Sequence, residues 1–246
     1  MRICLHLSVQ ALIFGKKTMD AFKMIFGILF LLGAIIPMSA QDWANLQRFQ
    51  QENAALPPVA DGEHRIVFMG NSITEGWSHH SPDFFKDKPY VNRGIGGQTT
   101  PQMLLRFRQD VIDLQPSVVV ILAGINDIAG NTGPATIDEI AGNIQSMAEL
   151  AEAHQIKVVL CSVLPAYDFP WRPGLEPAGK VVELNAKLKA YAAQKELVYV
   201  DYFSAMVNEQ NGLKESLGYD GVHPNADGYA VMEPLVEKGI LEALGL

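Results

Sequence analysis

Residues 117–127 read SVVVILAGIND. The first seven positions carry no charge, and four of them are β-branched. A run of this kind offers no polar face to water, so it reads as a strand covered on both sides. Strands covered on both sides belong to parallel sheets packed between helices. The run then breaks at Gly124 into the polar pair Asn126-Asp127.

Four further runs share this character: RIVFM (65–69), YVNRGI (90–95), IKVVLCSVL (156–164) and LVYVDY (197–202). Helical patterns separate them. Residues 100–114 place Met103, Leu104, Phe107, Val111 and Leu114 on one stripe, and residues 137–154 do the same with Ile140, Ile144, Met147 and Leu150. Residues 178–195 and 226–244 complete the set. Strand-helix alternation predicts right-handed βαβ units. The expected fold is a three-layer α/β/α, flavodoxin-like doubly wound sheet of about five parallel strands, forming one domain over residues 41–246. An earlier helix is expected over residues 41–56, from the spacing of Trp43, Leu46 and Phe49.

The chain has 246 residues and a formal charge of −8. Residues 1–40 differ from the rest. Lys16, Lys17 and Lys23 precede the uncharged run MIFGILFLLGAIIPMSA (24–40), the pattern of a secretory signal cleaved near Ala40-Gln41. That predicts a secreted or periplasmic protein with no stable membrane association after cleavage. Without this leader, 15 basic residues face 26 acidic ones, a formal −11. No basic stripe remains to follow a phosphate backbone, so nucleic acid is not an expected partner. Of two cysteines, only Cys161 lies beyond the leader, and it reads as a buried structural thiol. His79-His80 lacks a third ligand, so no metal site is expected.

In open α/β sheets, ligands bind outside the carboxyl ends of the strands. Gly70-Asn71-Ser72 follows the first run, and Asn92 to Thr99 closes the second. Gly124 to Asp127 follows the third, and Asp220 to Asn225 lies past the fifth. Singly, each is ordinary: Ser72 as a helix cap, the glycines as turns, Asn126 as a turn former, His223 at a helix start. Together they are the parts of a nucleophilic acyl-transfer site on one edge.

Four blocks, GNSIT (70–74), NRGIGGQTT (92–100), AGIND (123–127) and DGVHPN (220–225), resemble those of the SGNH hydrolases, the GDSL esterase/lipase superfamily. The GIGG series followed by TT resembles the platelet-activating-factor acetylhydrolase catalytic subunits and bacterial esterases like them. The resemblance implies Ser72 as nucleophile, with His223 as base and Asp220 orienting it. The oxyanion donors it implies are the Ser72 and Gly97 backbone N–H groups and the Asn126 amide. It implies no cofactor. Asn71 and Gln98 stand where the family commonly has aspartate, which predicts altered support rather than loss of activity.

The proline-rich segment LPAYDFPWRPGLEP (164–177) follows the fourth run. Tyr167, Phe169, Trp171 and Arg172 either wall a substrate or tuck onto the core. The expected function is a serine esterase acting on small acyl esters, acetylated carbohydrate among them. A lysophospholipase or arylesterase is the enzymatic alternative. The non-enzymatic alternatives are a flavodoxin-like phosphate-binding module and a catalytically silent carbohydrate binder.

Overall fold

The computed structural model describes residues 42–246, so the leader lies outside the described residues. Five parallel strands form one sheet: β1 (Ile66–Gly70), β2 (Tyr90–Gly94), β3 (Val118–Leu122), β4 (Lys157–Cys161) and β5 (Val198–Val200). Their order is β2-β1-β3-β4-β5. β1 pairs with β2 through Gly70 opposite Gly94, and with β3 through Gly70 opposite Leu122. Every residue of β1 and β3 is buried. This is the doubly wound order expected from the sequence, and its switch in direction falls beside β1.

The helices are α1 (Gln50–Ala55), α2 (Ser72–His80), α3 (Pro82–Phe85), α4 (Thr100–Asp110), α5 (Ile125–Ile128), α6 (Ile137–Ala153), α7 (Ala178–Gln194), α8 (Tyr202–Met206) and α9 (Ala226–Leu244). α4, α6 and α7 pack side by side against one face of the sheet, and α2 and α9 cover the other. The stripe predicted for residues 100–114 divides into α4 and a 3-10 turn, Ile112–Leu114. No helix among the described residues is long and apolar enough to cross a membrane.

The expected helix over residues 41–56 is largely absent. Residues 43–49 form successive turns, and only α1 is helical. The carbonyls there find side-chain partners from α4 and the loop before it. Gln102 Nε2 donates to Trp43 O (2.6 Å), Gln98 Nε2 to Ala44 O (2.7 Å) and Gln109 Nε2 to Leu46 O (2.5 Å). Asp42 caps the N–H groups of Leu46 and Gln47. With these groups satisfied outside a helical ladder, the apolar spacing does not become one face. Phe49 is buried while Trp43 and Leu46 are exposed.

An aromatic cluster fixes α2, the helix that opens with Ser72. Trp77 stacks on Phe84 with centroids 5.0 Å apart, and both meet Phe68 edge-on. Tyr229 Oη of α9 donates to Ile73 O (2.8 Å), tying the first turn of α2 to the last helix. Gly94 permits the close approach of β2 to this turn, because a Cβ there would lie 2.1 Å from Glu75 N.

Candidate active site

Ser72 is the first residue of α2, immediately after β1. Asn71, not Ser72, caps the helix: its Oδ1 accepts from Ile73 N at 3.0 Å. The Ser72 hydroxyl is therefore free of capping duty, and it meets His223 Nε2 at 2.9 Å. The Ser72 N–H lies in the first turn, where helix N–H groups have no intrahelical partner.

His223 lies on the loop between α8 and α9, two residues before Asn225, which caps α9 by accepting from Gly228 N at 2.9 Å. The loop is closed by a bridge between Gly218 and Pro224. Within it His223 Nδ1 meets Asp220 Oδ2 at 2.7 Å. An ionised carboxylate only accepts, so Nδ1 carries the proton and Nε2 is left to accept from the serine. Asp220 Oδ1 takes the N–H groups of Val222 (3.0 Å) and His223 (2.8 Å). Burial pushes the Asp220 carboxyl up, but these bonds and the imidazole outweigh it and hold it below the usual carboxylate range.

The loop after β2 brings Gly96 and Gly97 beside Ser72. A Cβ on Gly96 would lie 3.9 Å from Ser72 Cβ. Gly97 has φ +74°, a conformation that favours glycine. Its N–H has no protein partner among the described residues. Asn126 sits in α5, after β3, and one of its amide protons goes to Gln98 O at 3.0 Å. That bond fixes the amide plane and leaves its second N–H available. The structure thus brings Ser72, His223 and Asp220 into one hydrogen-bonded chain, and seats Gly97 and Asn126 on adjoining loops at the same sheet edge.

The proline-rich loop divides its aromatics. Phe169 is fully buried, while Tyr167 and Trp171 (44%) are exposed. The Trp171 ring lies 5.8 Å from that of His223. The Arg172 guanidinium donates from one nitrogen to the carbonyls of Ala129 and Gly130, tying this loop to the end of α5. Tyr219, 61% exposed, stacks on His223 at 5.7 Å and 11°. Tyr219 carried one signal in the sequence, its place next to Asp220. His80 stacks on Tyr219 and Tyr229, and His79 is exposed. Among the described residues, no group of three His, Cys, Asp or Glu could hold a metal ion. Cys161 is buried, which lifts its thiol to about 12.

Beneath the serine lies a polar network that the sequence did not announce. The fully buried Arg106 donates to Gln98 Oε1 (2.6 Å), Asp110 Oδ2 (3.1 Å) and Gly70 O (3.0 Å). It links the end of β1 to the loop that carries Gly97. Gln98 thus accepts from Arg106 while donating to Ala44, a double role that an ionised aspartate cannot fill.

Asp127, 4% exposed, accepts from Thr100 N and Thr100 Oγ1. Burial raises its carboxyl to about 6 against the pull of those bonds. A carboxyl raised on folding contributes stability below its unfolded range, and that contribution is lost as pH climbs through about 6. Thr100 and Asn143 beside it are uncharged, and Glu139 lines the same cleft. Asp127→Asn is therefore expected to gain stability relative to wild type between pH 5 and pH 8. Thermal melts at both pH values measure this, and a gap that does not widen contradicts it.

Residues 68–231 match the GDSL-like Lipase/Acylhydrolase family. The chain belongs to that family, whose members are carboxylic ester hydrolases. A GDSL-like lipase from Bacteroides thetaiotaomicron is 51% identical, with a TM-score of 0.79 over 81% of this chain and 98% of the other. The lipoprotein YqeF of Bacillus subtilis (strain 168), itself uncharacterised, is 31% identical over 121 residues, 42% of this chain. The match spans 50% of that relative's length. An acetylxylan esterase of Geobacillus stearothermophilus is 26% identical over 155 residues, covering 58% of this chain and 67% of the relative.

Proposed function

We propose that this chain is a serine esterase that removes short acyl groups, acetyl first among them, from carbohydrate hydroxyls. The observation that carries the reading is the Asp220–His223–Ser72 chain, with contacts of 2.7 and 2.9 Å at the carboxyl ends of the strands. In the first half-reaction Ser72 Oγ attacks the ester carbonyl carbon and its proton passes to His223 Nε2. Asp220 stabilises the imidazolium that forms. The N–H groups of Ser72 and Gly97 and the free amide proton of Asn126 receive the negative oxygen. One such donor is typically worth about a hundredfold in rate or more. The C–O bond then breaks, and the departing alkoxide takes the proton from Nε2. In the second half, His223 draws a proton from water, which attacks the acyl-serine. Carboxylic acid leaves and Ser72 regains its proton.

The chemistry also says where the alcohol must lie. It is protonated by His223, so it leaves beside that ring. Trp171 and Tyr219 are the exposed aromatic faces there, with centroids 5.8 and 5.7 Å from the imidazole. Flat apolar faces suit the C–H surface of a pyranose ring. The likeness to the Geobacillus relative, an acetylxylan esterase, supports the same substrate class. Export fits such a substrate, and the N-terminal pattern supports a secreted or periplasmic location.

A hydrolysis screen tests the reading. It would compare acetylated xylo-oligosaccharides, ethyl acetate, longer acyl esters, aryl acetates and a lysophospholipid. Highest kcat/KM on the acetylated sugar is expected. Preference for the lysophospholipid or the aryl ester would replace this substrate class with another. Trp171→Ala is expected to raise KM for the acetylated oligosaccharide about tenfold more than for ethyl acetate, the worth of one lost aromatic contact. Equal changes on both esters would remove Trp171 from alcohol recognition.

A further inference from the structure

Gly97 and Asn126 come from different crossovers, one after β2 and the other after β3. For both to face one oxygen atom, the two loops must keep a fixed separation. Four side-chain links span them. Asn131 Nδ2 donates to Gly97 O (3.0 Å) and Asn126 Nδ2 to Gln98 O (3.0 Å). The Thr99 and Thr132 hydroxyls are hydrogen-bonded to each other at 3.0 Å. Asp127 takes Thr100 N on both carboxylate oxygens, each at 3.0 Å, and the Thr100 hydroxyl at 2.6 Å. The rungs interleave, 97 with 131, 98 with 126, 99 with 132 and 100 with 127, so residues 97–100 and 126–132 behave as one laced unit.

Asp127 makes the one rung with a carboxylate, and that rung is buried. It touches none of the reacting atoms in the proposed acyl transfer. Placing a carboxylate in a site this dry is costly unless its bonds return the energy. A carboxylate there has two oxygens for the N–H and O–H of one residue, where an amide has only one acceptor oxygen. Thr100 is also the first residue of α4, and an anion at a helix N-terminus is favoured by the helix dipole. Asn143 of α6 donates to the same Thr100 hydroxyl at 3.0 Å and fixes its orientation.

We propose that Asp127 is a positioning residue: by anchoring Thr100, it holds the Gly97 N–H at a set distance from the Asn126 amide, so the oxyanion hole is formed before substrate arrives. The inference rests on the acyl-transfer reading above and adds a residue to it. Its kinetic signature differs from that of a stability residue. Substrate binds in the ground state through its alcohol and acyl portions, while the negative oxygen exists only after attack. Loosening the clamp therefore lowers kcat and leaves KM in place.

The test measures ethyl acetate kinetics and the rate of fluorophosphonate capture for wild type, Asp127→Asn and Asp127→Ala. For Asp127→Ala, kcat and capture rate are expected to fall about a hundredfold, with KM within about threefold, the scale of a misplaced oxyanion donor. Asp127→Asn keeps one acceptor for Thr100 and is expected to lose only about tenfold in kcat. Wild-type kcat in Asp127→Ala, or a loss carried by KM, would overturn the clamp. Should Asp127→Ala not fold, Asp127→Asn decides: a kcat loss at constant KM supports the clamp, and full kcat overturns it. A wild-type protein that neither turns over the ester nor captures the probe at Ser72 overturns the acyl-transfer reading itself. An active wild type with an equally active Asp127→Ala overturns the clamp alone.

Discussion

Alanine at position 72 is expected to lower kcat for acetyl-ester hydrolysis by about 10⁴- to 10⁶-fold, leaving only what an oxyanion hole and binding supply. The hydroxyl makes one side-chain contact, to His223 Nε2, and does not cap its helix. Folding should therefore be untouched, and an unchanged melting temperature is part of the expected result. Steady-state turnover of ethyl acetate by the purified variant measures the loss. A drop of less than about tenfold would mean that another group starts the reaction. His223 adds a second constraint. Its Nε2 must be unprotonated to accept the serine proton, so wild-type turnover should fall on acidification.

The other large expected effect concerns stability. Arg106→Met should cost about 3–5 kcal/mol, because Asp110 would remain buried with its charge unpaired. Both side chains are fully buried, and they pair at 3.1 Å. Burial pulls the Arg106 guanidinium down to about 10, while Asp110 pulls the other way, so it remains charged at neutral pH. The remaining hydrogen-bond partners of Asp110 would be neutral, chiefly Asn53 Nδ2 at 2.8 Å, while the Arg93 guanidinium, not bonded to it, would still act on it as a cation. Gly70 O and Gln98 Oε1 would lose a donor as well. Urea unfolding with unchanged slope measures the cost. A loss under about 1 kcal/mol would show that the site relaxes around the gap. Adding Asp110→Leu to Arg106→Met should recover much of the loss, since the pair replaced by apolar groups leaves no orphaned charge.

The strands and major helices were legible because their apolar periodicity is local and strong. Val118 to Leu122 can only be a strand covered on both faces, and the structure places it at the centre of the sheet. Residues 226–244 coincide with α9. The failure at residues 43–49 has a non-local cause. Three glutamines from residues 98–109 take carbonyls that a helix would have used, and nothing in the segment itself reveals them. The convergence of Ser72, Gly97, Asn126, Asp220 and His223 on one edge followed from counting strand ends. What stands behind them did not. Arg106 lies on the same helix as Met103 and Phe107, and its spacing of four from Asp110 was the sole hint of a buried pair. The partner of Asp127 was not legible, because Thr100 is 27 residues away.

The central claim is that Ser72, activated by His223, forms a covalent bond to a tetrahedral or acyl centre. Peptide mass mapping after fluorophosphonate treatment tests it most directly. The account predicts one adduct on the peptide carrying Ser72, a slower reaction at acid pH, and none in Ser72→Ala. An adduct on another residue, or an unmodified wild-type protein after prolonged exposure, would contradict it.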